Sequence, residues 1–184
     1  MIYIVTALKP EAQAFVDFYK LKKTKLGSFT LFFNDTLTLI ISGLGVTNAR
    51  QATQTLINYY DITDDDIYLN IGICGASDSY KIGELLDIGS VIYDKQSYVF
   101  DADKLQITCL ETEAIDDTYS IVDMESFGFY DAVIHSPAIQ TFYILKVVSD
   151  HFEPQKVTKE KTKSLIFHLI NDIHTIITNS KNEG

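Results

Sequence analysis

The sequence predicts an α/β fold, a single domain with a mixed central β-sheet flanked by helices. Short apolar segments alternate along the chain with segments of helical periodicity, which is the order typical of strand–helix units. Hydrophobic residues make up 46% of the 184 residues, which is enough for a full core and excludes a generally disordered chain. The length corresponds to one domain covering residues 1–184.

Each element has its own local signal. Apolar segments rich in β-branched residues predict buried strands at Met1–Ala7, Phe29–Phe33, Leu37–Ser42, Ile67–Gly72, Gly89–Asp94, Leu105–Leu110 and Gln140–Val148. Asn34-Asp35, between the second and third of these, predicts a hairpin turn. Helical spacing and helix-start signals predict helices at Glu11–Lys20, from the Gly43–Ala49 turn to about Tyr60, Asp123–His135 and Val157 to about Thr178.

Composition and charge exclude several classes of function. The net charge is −10 and Arg50 is the only arginine, so a nucleic-acid partner is not expected. Cys74 and Cys109 form no CxxC pair, which favours reduced thiols and a cytoplasmic location. No apolar run approaches the ~20 residues that span a bilayer, and the start has no signal-peptide pattern, so no membrane association is expected. The histidine spacing predicts no metal site.

Two motifs have a structural and a functional interpretation. The turn Gly43-x-Gly45-x-x-Asn48 resembles a dinucleotide fingerprint but lacks the third glycine, so nicotinamide binding is disfavoured. A tight strand-to-helix turn and a backbone nest near a sugar both remain open. Cys74 is better interpreted as a buried structural thiol than as a nucleophile, because the sequence indicates no activating group.

Three carboxylates are the candidate chemical groups. Glu11 follows the first strand, Asp150 ends the last one, and Glu125 lies in the segment IVDMESF. Ligands of such sheets bind near the carboxyl ends of strands. Each residue taken singly can be a helix cap or a surface charge. We expect burial in one site to raise the pKa of these carboxyl groups. A raised pKa suits proton transfer near neutral pH.

The order of motifs resembles a known superfamily. TALKPEAQAF, ISGLGVTNA, LNIGICGAS, IGSVIYD, IVDMESFGF and LKVVSD resemble the successive motifs of the purine nucleoside phosphorylase / nucleosidase superfamily, from Met1 to about Lys163. The branch that they resemble most is that of 5′-methylthioadenosine/S-adenosylhomocysteine nucleosidase-like proteins, whose relatives include futalosine hydrolase. The resemblance implies hydrolysis of the N-glycosidic bond of a 5′-modified purine nucleoside, a homodimer and no cofactor.

The resemblance also implies a role for each matching residue. Glu11 matches the glutamate that orients and deprotonates water, and Asp150 the acid that protonates the purine at N7. Glu125 matches the residue that holds the ribose 2′- and 3′-hydroxyls. The remaining matches are substrate-binding: Met124 against the ribose, Ser149 holding the aspartate, and Cys74 with Gly75 beside the sugar.

The nucleophile and the base pocket are less determined. Phosphate binding usually needs arginine, which is missing near the first strand and near Leu69–Ile71, so water is favoured over phosphate. Ile73 stands where the superfamily usually has Ser or Thr, and we expect this to loosen the support of Glu11. The segment between Asp94 and Asp123 is shortened and lacks the aromatic residue that stacks on the base. Candidate substitutes are Tyr98, Phe100, Phe127 and Tyr130. A phosphorylase and a non-catalytic nucleoside-binding protein remain alternatives.

Overall fold

The structure is a computed structural model that describes residues 1–179. These residues form one sheet of ten strands: β1 (Ile2–Thr6), β2 (Lys22–Leu26), β3 (Phe29–Phe33), β4 (Leu37–Ile41), β5 (Ile67–Ala76), β6 (Leu85–Tyr93), β7 (Gln96–Val99), β8 (Leu105–Cys109), β9 (Ile121–Asp123) and β10 (Thr141–Asp150). The helices are α1 (Lys9–Tyr19), α2 (Val46–Tyr59), α3 (Ser126–Ile134) and α4 (Lys159–Asn179), with a 3-10 turn at Pro154–Lys156.

The sheet is mixed and partly closed on itself. Strand β5 pairs in parallel with β1 and β10, and β4 pairs in parallel with β1. Strand β10 pairs in addition with β6, antiparallel, and β6, β8, β9 and β5 are linked by further ladders. Five strands therefore form a closed ring, while β1, β4, β3 and β2 extend the sheet to one side. This architecture confirms the predicted mixed sheet.

Each face of the sheet has its own apolar core. One core joins α2 and α3 to the sheet through residues such as Leu56 and Phe129. The other core joins α1 and α4 to the opposite face through residues such as Phe15 and Ile166. The helices thus cover both faces, as the alternation of segments predicts. No helix within residues 1–179 is both long enough and apolar enough to cross a membrane.

Parallel pairing brings several chain segments to one edge of the sheet. Because β1, β5 and β10 run in the same direction, their carboxyl ends lie side by side. Strand β1 leads into the start of α1, while Gly72–Gly75 and Asp150 belong to the final residues of β5 and β10. The turn after β4 reaches the same edge, because the Gly43 N–H donates a hydrogen bond to the Ala7 carbonyl. The topology therefore gathers the predicted site residues.

The structure also adds strands to the sequence prediction and moves the start of one helix. Three strands were missed: β2 is a lysine-rich, mostly exposed strand next to β3, and β7 and β9 have only four and three residues, so none of them shows apolar alternation. The predicted helix Asp123–His135 begins too early. Asp123 belongs to β9, and its carboxylate accepts hydrogen bonds from the N–H and the hydroxyl of Ser126, where α3 begins.

Candidate active site

A cavity of about 300 Å³ opens at the carboxyl ends of β1, β5 and β10. Its volume is in the range typical of small-molecule sites. All seven residues singled out from the sequence line this one cavity: Glu11, Cys74, Gly75, Met124, Glu125, Ser149 and Asp150. Further walls come from apolar side chains, among them Leu8, Leu44 and Val157. The cavity is thus an apolar pocket with convergent carboxylates.

Glu11 is held by the main chain. It lies in the first turn of α1, where its Oε2 accepts hydrogen bonds from the N–H groups of Ala7 at 3.0 Å and Leu8 at 2.8 Å. Its Oε1 accepts a third bond, of 3.0 Å, from the N–H of Ile73 on β5. Three main-chain N–H groups therefore hold the Glu11 carboxylate, with an apolar side chain at position 73.

The approach of Glu11 to β5 requires a glycine. A Cβ at Gly72 would lie 2.9 Å from the Oε1 atom of Glu11, closer than van der Waals contact allows. Burial raises the pKa of the Glu11 carboxyl, while the N–H donors and the ammonium of Lys146 act in the opposite direction. A carboxyl group with a raised pKa, fixed by three hydrogen bonds, is suited to accept a proton.

Glu125 is positioned by the turn that precedes α2. Its Oε1 accepts a hydrogen bond of 2.9 Å from the N–H of Gly45, whose φ of 96° lies in the left-handed region that favours glycine. Burial and the negative charge of Asp123 raise the pKa of Glu125 to about 7. The glycine turn thus donates a main-chain N–H to a carboxylate.

Asp150 is fixed through both carboxylate oxygens. The Ser149 hydroxyl lies 2.7 Å from Oδ2, to which it can donate, and 3.1 Å from the Cys74 carbonyl. The N–H of Glu153 donates to Oδ1 at 2.8 Å. The Asp150 side chain is therefore oriented at the end of β10 by its own neighbours in the chain.

A buried ion pair beneath the cavity was missed in the sequence. Lys146 of β10 is almost completely buried, and its Nζ lies 2.7 Å from Oδ2 of Asp123. Burial disfavours its ammonium, but the charges of Asp123 and Glu125 outweigh burial and raise the pKa of Lys146. The sequence contains a signal for this ion pair. A lysine in the apolar segment Tyr143–Val148 needs a partner, because an unpaired buried charge is costly.

The neutral residues complete the wall beside the carboxylates. Burial raises the pKa of the Cys74 thiol, which agrees with a structural rather than a nucleophilic cysteine. A Cβ at Gly75 would lie 3.2 Å from Val122 and 3.7 Å from Oδ1 of Asp150, so the glycine keeps the wall close to the aspartate. Met124 lies between Asp123 and Glu125 and contributes to the lining.

The four aromatic substitutes named from the sequence do not reach the cavity. In the described part of the chain, the lining includes none of the four. Their rings instead pack against one another: Tyr98 contacts Phe127 and Tyr130, and Phe100 stacks on Tyr130. The shortened segment contributes Leu110, Thr112, Glu113 and Ala114 to the cavity wall. The four aromatic rings belong to the core on the α3 side of the sheet, because the apolar faces of α3 and of β6–β7 meet there.

Comparison with known proteins shows which solved structures have a similar fold. No protein-family model and no curated protein matches the sequence. Solved structures do match. The 5′-methylthioadenosine/S-adenosylhomocysteine nucleosidase of Neisseria meningitidis, in complex with methylthio-immucillin-A, has a TM-score of 0.76 at 14% identity, over 97% of this chain and 98% of that chain. The 5′-methylthioadenosine nucleosidase of Arabidopsis thaliana has a TM-score of 0.76 at 17% identity, over 97% and 94%.

A third match broadens the class. The futalosine hydrolase of Helicobacter pylori has a TM-score of 0.71 at 11% identity, over 93% of this chain and 97% of that chain. The chain therefore has the nucleoside phosphorylase-like α/β fold. Its fold is similar to that of the 5′-methylthioadenosine/S-adenosylhomocysteine nucleosidases and of futalosine hydrolase, as the sequence motifs predict.

Proposed function

We propose that the protein is a purine nucleosidase, which hydrolyses the N-glycosidic bond of a 5′-modified purine nucleoside. The observation that carries the proposal is the meeting of Glu11, Glu125 and Asp150 in one cavity at the carboxyl edge of the sheet. Two of these carboxyl groups, Glu11 and Glu125, have a raised pKa, which is common among groups that transfer protons or bind substrate.

The chemistry of N-glycoside cleavage assigns a task to each carboxyl group. Asp150 acts as general acid and protonates the purine at N7, so that the base leaves as a neutral molecule. Glu11 orients a water molecule and accepts its proton as the water attacks the cationic sugar. Glu125 accepts hydrogen bonds from the ribose 2′- and 3′-hydroxyls. Each positioned proton transfer contributes a factor of about 10²–10⁴ to the rate, and fixing the sugar contributes by orientation.

The charges around the cavity support water rather than phosphate as the nucleophile. Carboxylates of Glu11, Glu125 and Asp150 would repel a phosphate anion. Two cations of the chain already have carboxylate partners: Arg50 Nε lies 2.6 Å from Asp131 Oδ2, and Lys146 pairs with Asp123. A phosphorylase would need a cation turned towards its phosphate.

The lining of the cavity supports a nucleoside with an apolar 5′ group. Leu8, Leu44, Pro154 and Val157 are wall residues, and Met124 fits a contact with the ribose. Candidate substrates are 5′-methylthioadenosine, S-adenosylhomocysteine and futalosine. Solved structures of similar fold hold adenine or methylthio-immucillin-A, which supports a nucleoside as the small-molecule partner.

The first test is release of free base. Purified protein is incubated with the three candidate nucleosides, adenosine and inosine, in phosphate-free buffer and again with saturating phosphate. We expect equal release of base in both buffers. Release only with phosphate would identify a phosphorylase. Binding without release would identify a non-catalytic nucleoside-binding protein, and either result would overturn the proposal.

The second test removes the acid. Asp150→Asn keeps the size and hydrogen-bonding capacity of the side chain but has no carboxyl proton to donate. We expect kcat to fall by at least about 10² with KM little changed. The exposed Asp172→Asn on α4 is a matched control that should leave kcat unchanged. Full activity of Asp150→Asn would contradict the assignment.

Assembly and location complete the proposal. We propose a homodimer, because the superfamily that the motifs resemble forms dimers and because Leu44 and Ile115, at and near the cavity wall, are exposed apolar side chains. Sedimentation at micromolar concentration should give twice the 20.8 kDa chain mass. We also propose a cytoplasmic location, for which the free thiols Cys74 and Cys109 are the support.

A further inference from the structure

Strand β10 is irregular where it delivers the proposed acid. Along its ladder with β5, Val148 is opposite Cys74, but Asp150 is opposite Gly75, so Ser149 is an extra residue in β10. Such a β-bulge turns the following side chain and leaves main-chain groups outside the ladder. The bulge therefore redirects Asp150 towards the cavity and creates a carbonyl, that of Ser149, which needs another donor.

The donor comes from α4. The Nζ of Lys161 lies 2.9 Å from the carbonyl oxygen of Ser149, in a partly buried position. An ammonium–carbonyl hydrogen bond is charge-assisted and stronger than a neutral one. The segment between the bulge and Lys161 also forms part of the cavity wall, through Pro154 and Val157. Lys161 thus closes a loop that begins at the acid and runs along the pocket.

The location of Lys161 is unfavourable for the helix itself. It lies in the first turn of α4, where its N–H donates to the Thr158 hydroxyl. Cations destabilise a helix N-terminus, because the helix dipole places partial positive charge there. Residues that break a local rule are expected at functional sites, where another interaction offsets the cost. The contact with Ser149 is that interaction.

We propose that Lys161 is a positioning residue for Asp150, acting through the Ser149 bulge. The inference rests on the proposed function. Lys161 holds the bulge carbonyl, the bulge sets the direction of the Asp150 side chain, and the Glu153 N–H together with the Ser149 hydroxyl completes its orientation. Without the ammonium, the carbonyl has lost its donor and the acid samples directions away from the base.

The test compares two lysines on one helix. Lys161→Met should lower kcat on the purine nucleoside by at least about 10-fold, with KM within about 3-fold, because orientation of the acid acts on the chemical step. Lys161→Arg should restore most of the activity. Lys163→Met is the control, because Lys163 pairs with Asp17 on the surface. Wild-type kcat in Lys161→Met would overturn the inference.

A second measurement separates positioning from a general loss of structure. A 4-nitrophenyl riboside releases a nitrophenolate that departs without protonation, so Lys161→Met should cleave it at the wild-type rate. In the Asp150→Asn background, Lys161→Met should cause no further loss on the purine nucleoside, because both changes remove one function. Equal loss on both substrates, or independent losses in the double variant, would contradict the inference.

A third measurement distinguishes failure of the inference from failure of the proposed function. Amide hydrogen exchange at Glu153, whose N–H donates to Asp150, should be faster in Lys161→Met than in Lys163→Met. If the wild-type protein cleaves no nucleoside, the proposed function fails, while faster exchange still shows that Lys161 orders the bulge. Unchanged exchange in Lys161→Met would overturn the role of Lys161 whatever the activity.

Discussion

Among single residues, the main feature of the site is that several ionisable side chains are buried close together. Glu11, Glu125 and Asp123 are buried near the ammonium of Lys146, so three carboxyl groups face one buried cation among residues 1–179. Hydrogen bonds from main-chain N–H groups to Glu11 and Glu125 offset part of the desolvation. The desolvation that is not offset raises the pKa of Glu11 and Glu125, so the ionisation of these residues depends on pH.

The stability of the protein should depend on the ionisation of Glu125. Its pKa is raised to about 7 in the folded state, above the ordinary glutamate value, so the folded state holds the proton more tightly. Stability from this proton is complete below the ordinary value and is lost as the pH rises towards 7. The free energy of unfolding of Glu125→Gln, minus that of the wild type, should therefore increase from pH 5 to 7.5, by at most about 1.4 kcal/mol per pH unit.

Urea unfolding at several pH values measures this difference. Glu113→Gln, which removes an exposed carboxylate of the same cavity, is the matched control for the same change of side chain. A flat difference for Glu125→Gln would show that its carboxyl group is not perturbed by burial.

Removal of the buried ammonium should destabilise the protein strongly. Lys146→Met leaves the Asp123 carboxylate buried without its cation, which typically costs about 3–5 kcal/mol. The double variant Lys146→Met/Asp123→Asn should recover part of this loss, because the second change removes the uncompensated charge. Thermal unfolding of both variants measures their relative stability. A double variant less stable than Lys146→Met would refute the prediction.

At the scale of elements, main-chain approach is as important as side-chain chemistry. Helices α2 and α3 pack so closely that a Cβ at Gly128 would lie 2.0 Å from the Val46 carbonyl oxygen. This contact places the start of α3, and with it Glu125, against the start of α2, where Gly45 donates its hydrogen bond. The distance between two helices thereby sets the position of a proposed ribose-binding group.

Gly128→Ala should separate the two helices. Overpacking of a rigid contact costs about 1–3 kcal/mol, and the loss should be accompanied by weaker nucleoside binding, because the Gly45–Glu125 contact moves. Ile134→Ala, at an exposed position of the same helix, is the control. Urea unfolding and a nucleoside titration measure the two effects. An unfolding midpoint equal to that of the wild type would contradict this account of the packing.

At the scale of the whole molecule, one sheet separates two apolar cores. Leu56 of α2 is fully buried in the first and Ile166 of α4 in the second. Strands β1, β5 and β10 contribute side chains to both cores, since neighbouring residues of a strand point to opposite faces. Loss of either core therefore removes one face of the strands that support the other.

The two cores should consequently unfold together. Leu56→Ala and Ile166→Ala should each cost about 2–5 kcal/mol and lower the midpoint of the same single transition in scanning calorimetry. This experiment tests the prediction that the chain is one domain. Two separate transitions, each shifted by only one of the variants, would show that the faces are independent units.

The order of the elements and the identity of the candidate groups follow from the sequence. Alternation of apolar segments depends on local periodicity, and the polar residues at the ends of β1, β5 and β10 mark the edge at which ligands bind. Strands β2, β7 and β9 were missed because β2 is mostly exposed and the other two have only four and three residues. Their pairing with neighbouring strands is a tertiary property that local pattern does not encode.

How the candidate groups work together depends on the folded chain. The bond from the Ile73 N–H to Glu11, the pairing of Lys146 with Asp123 and the contact of Lys161 with the Ser149 bulge join residues from separate elements. Strand pairing and the packing of α4 bring these partners within hydrogen-bond distance. Burial and pKa depend on those distances, because solvent exclusion and nearby charge are properties of the folded chain.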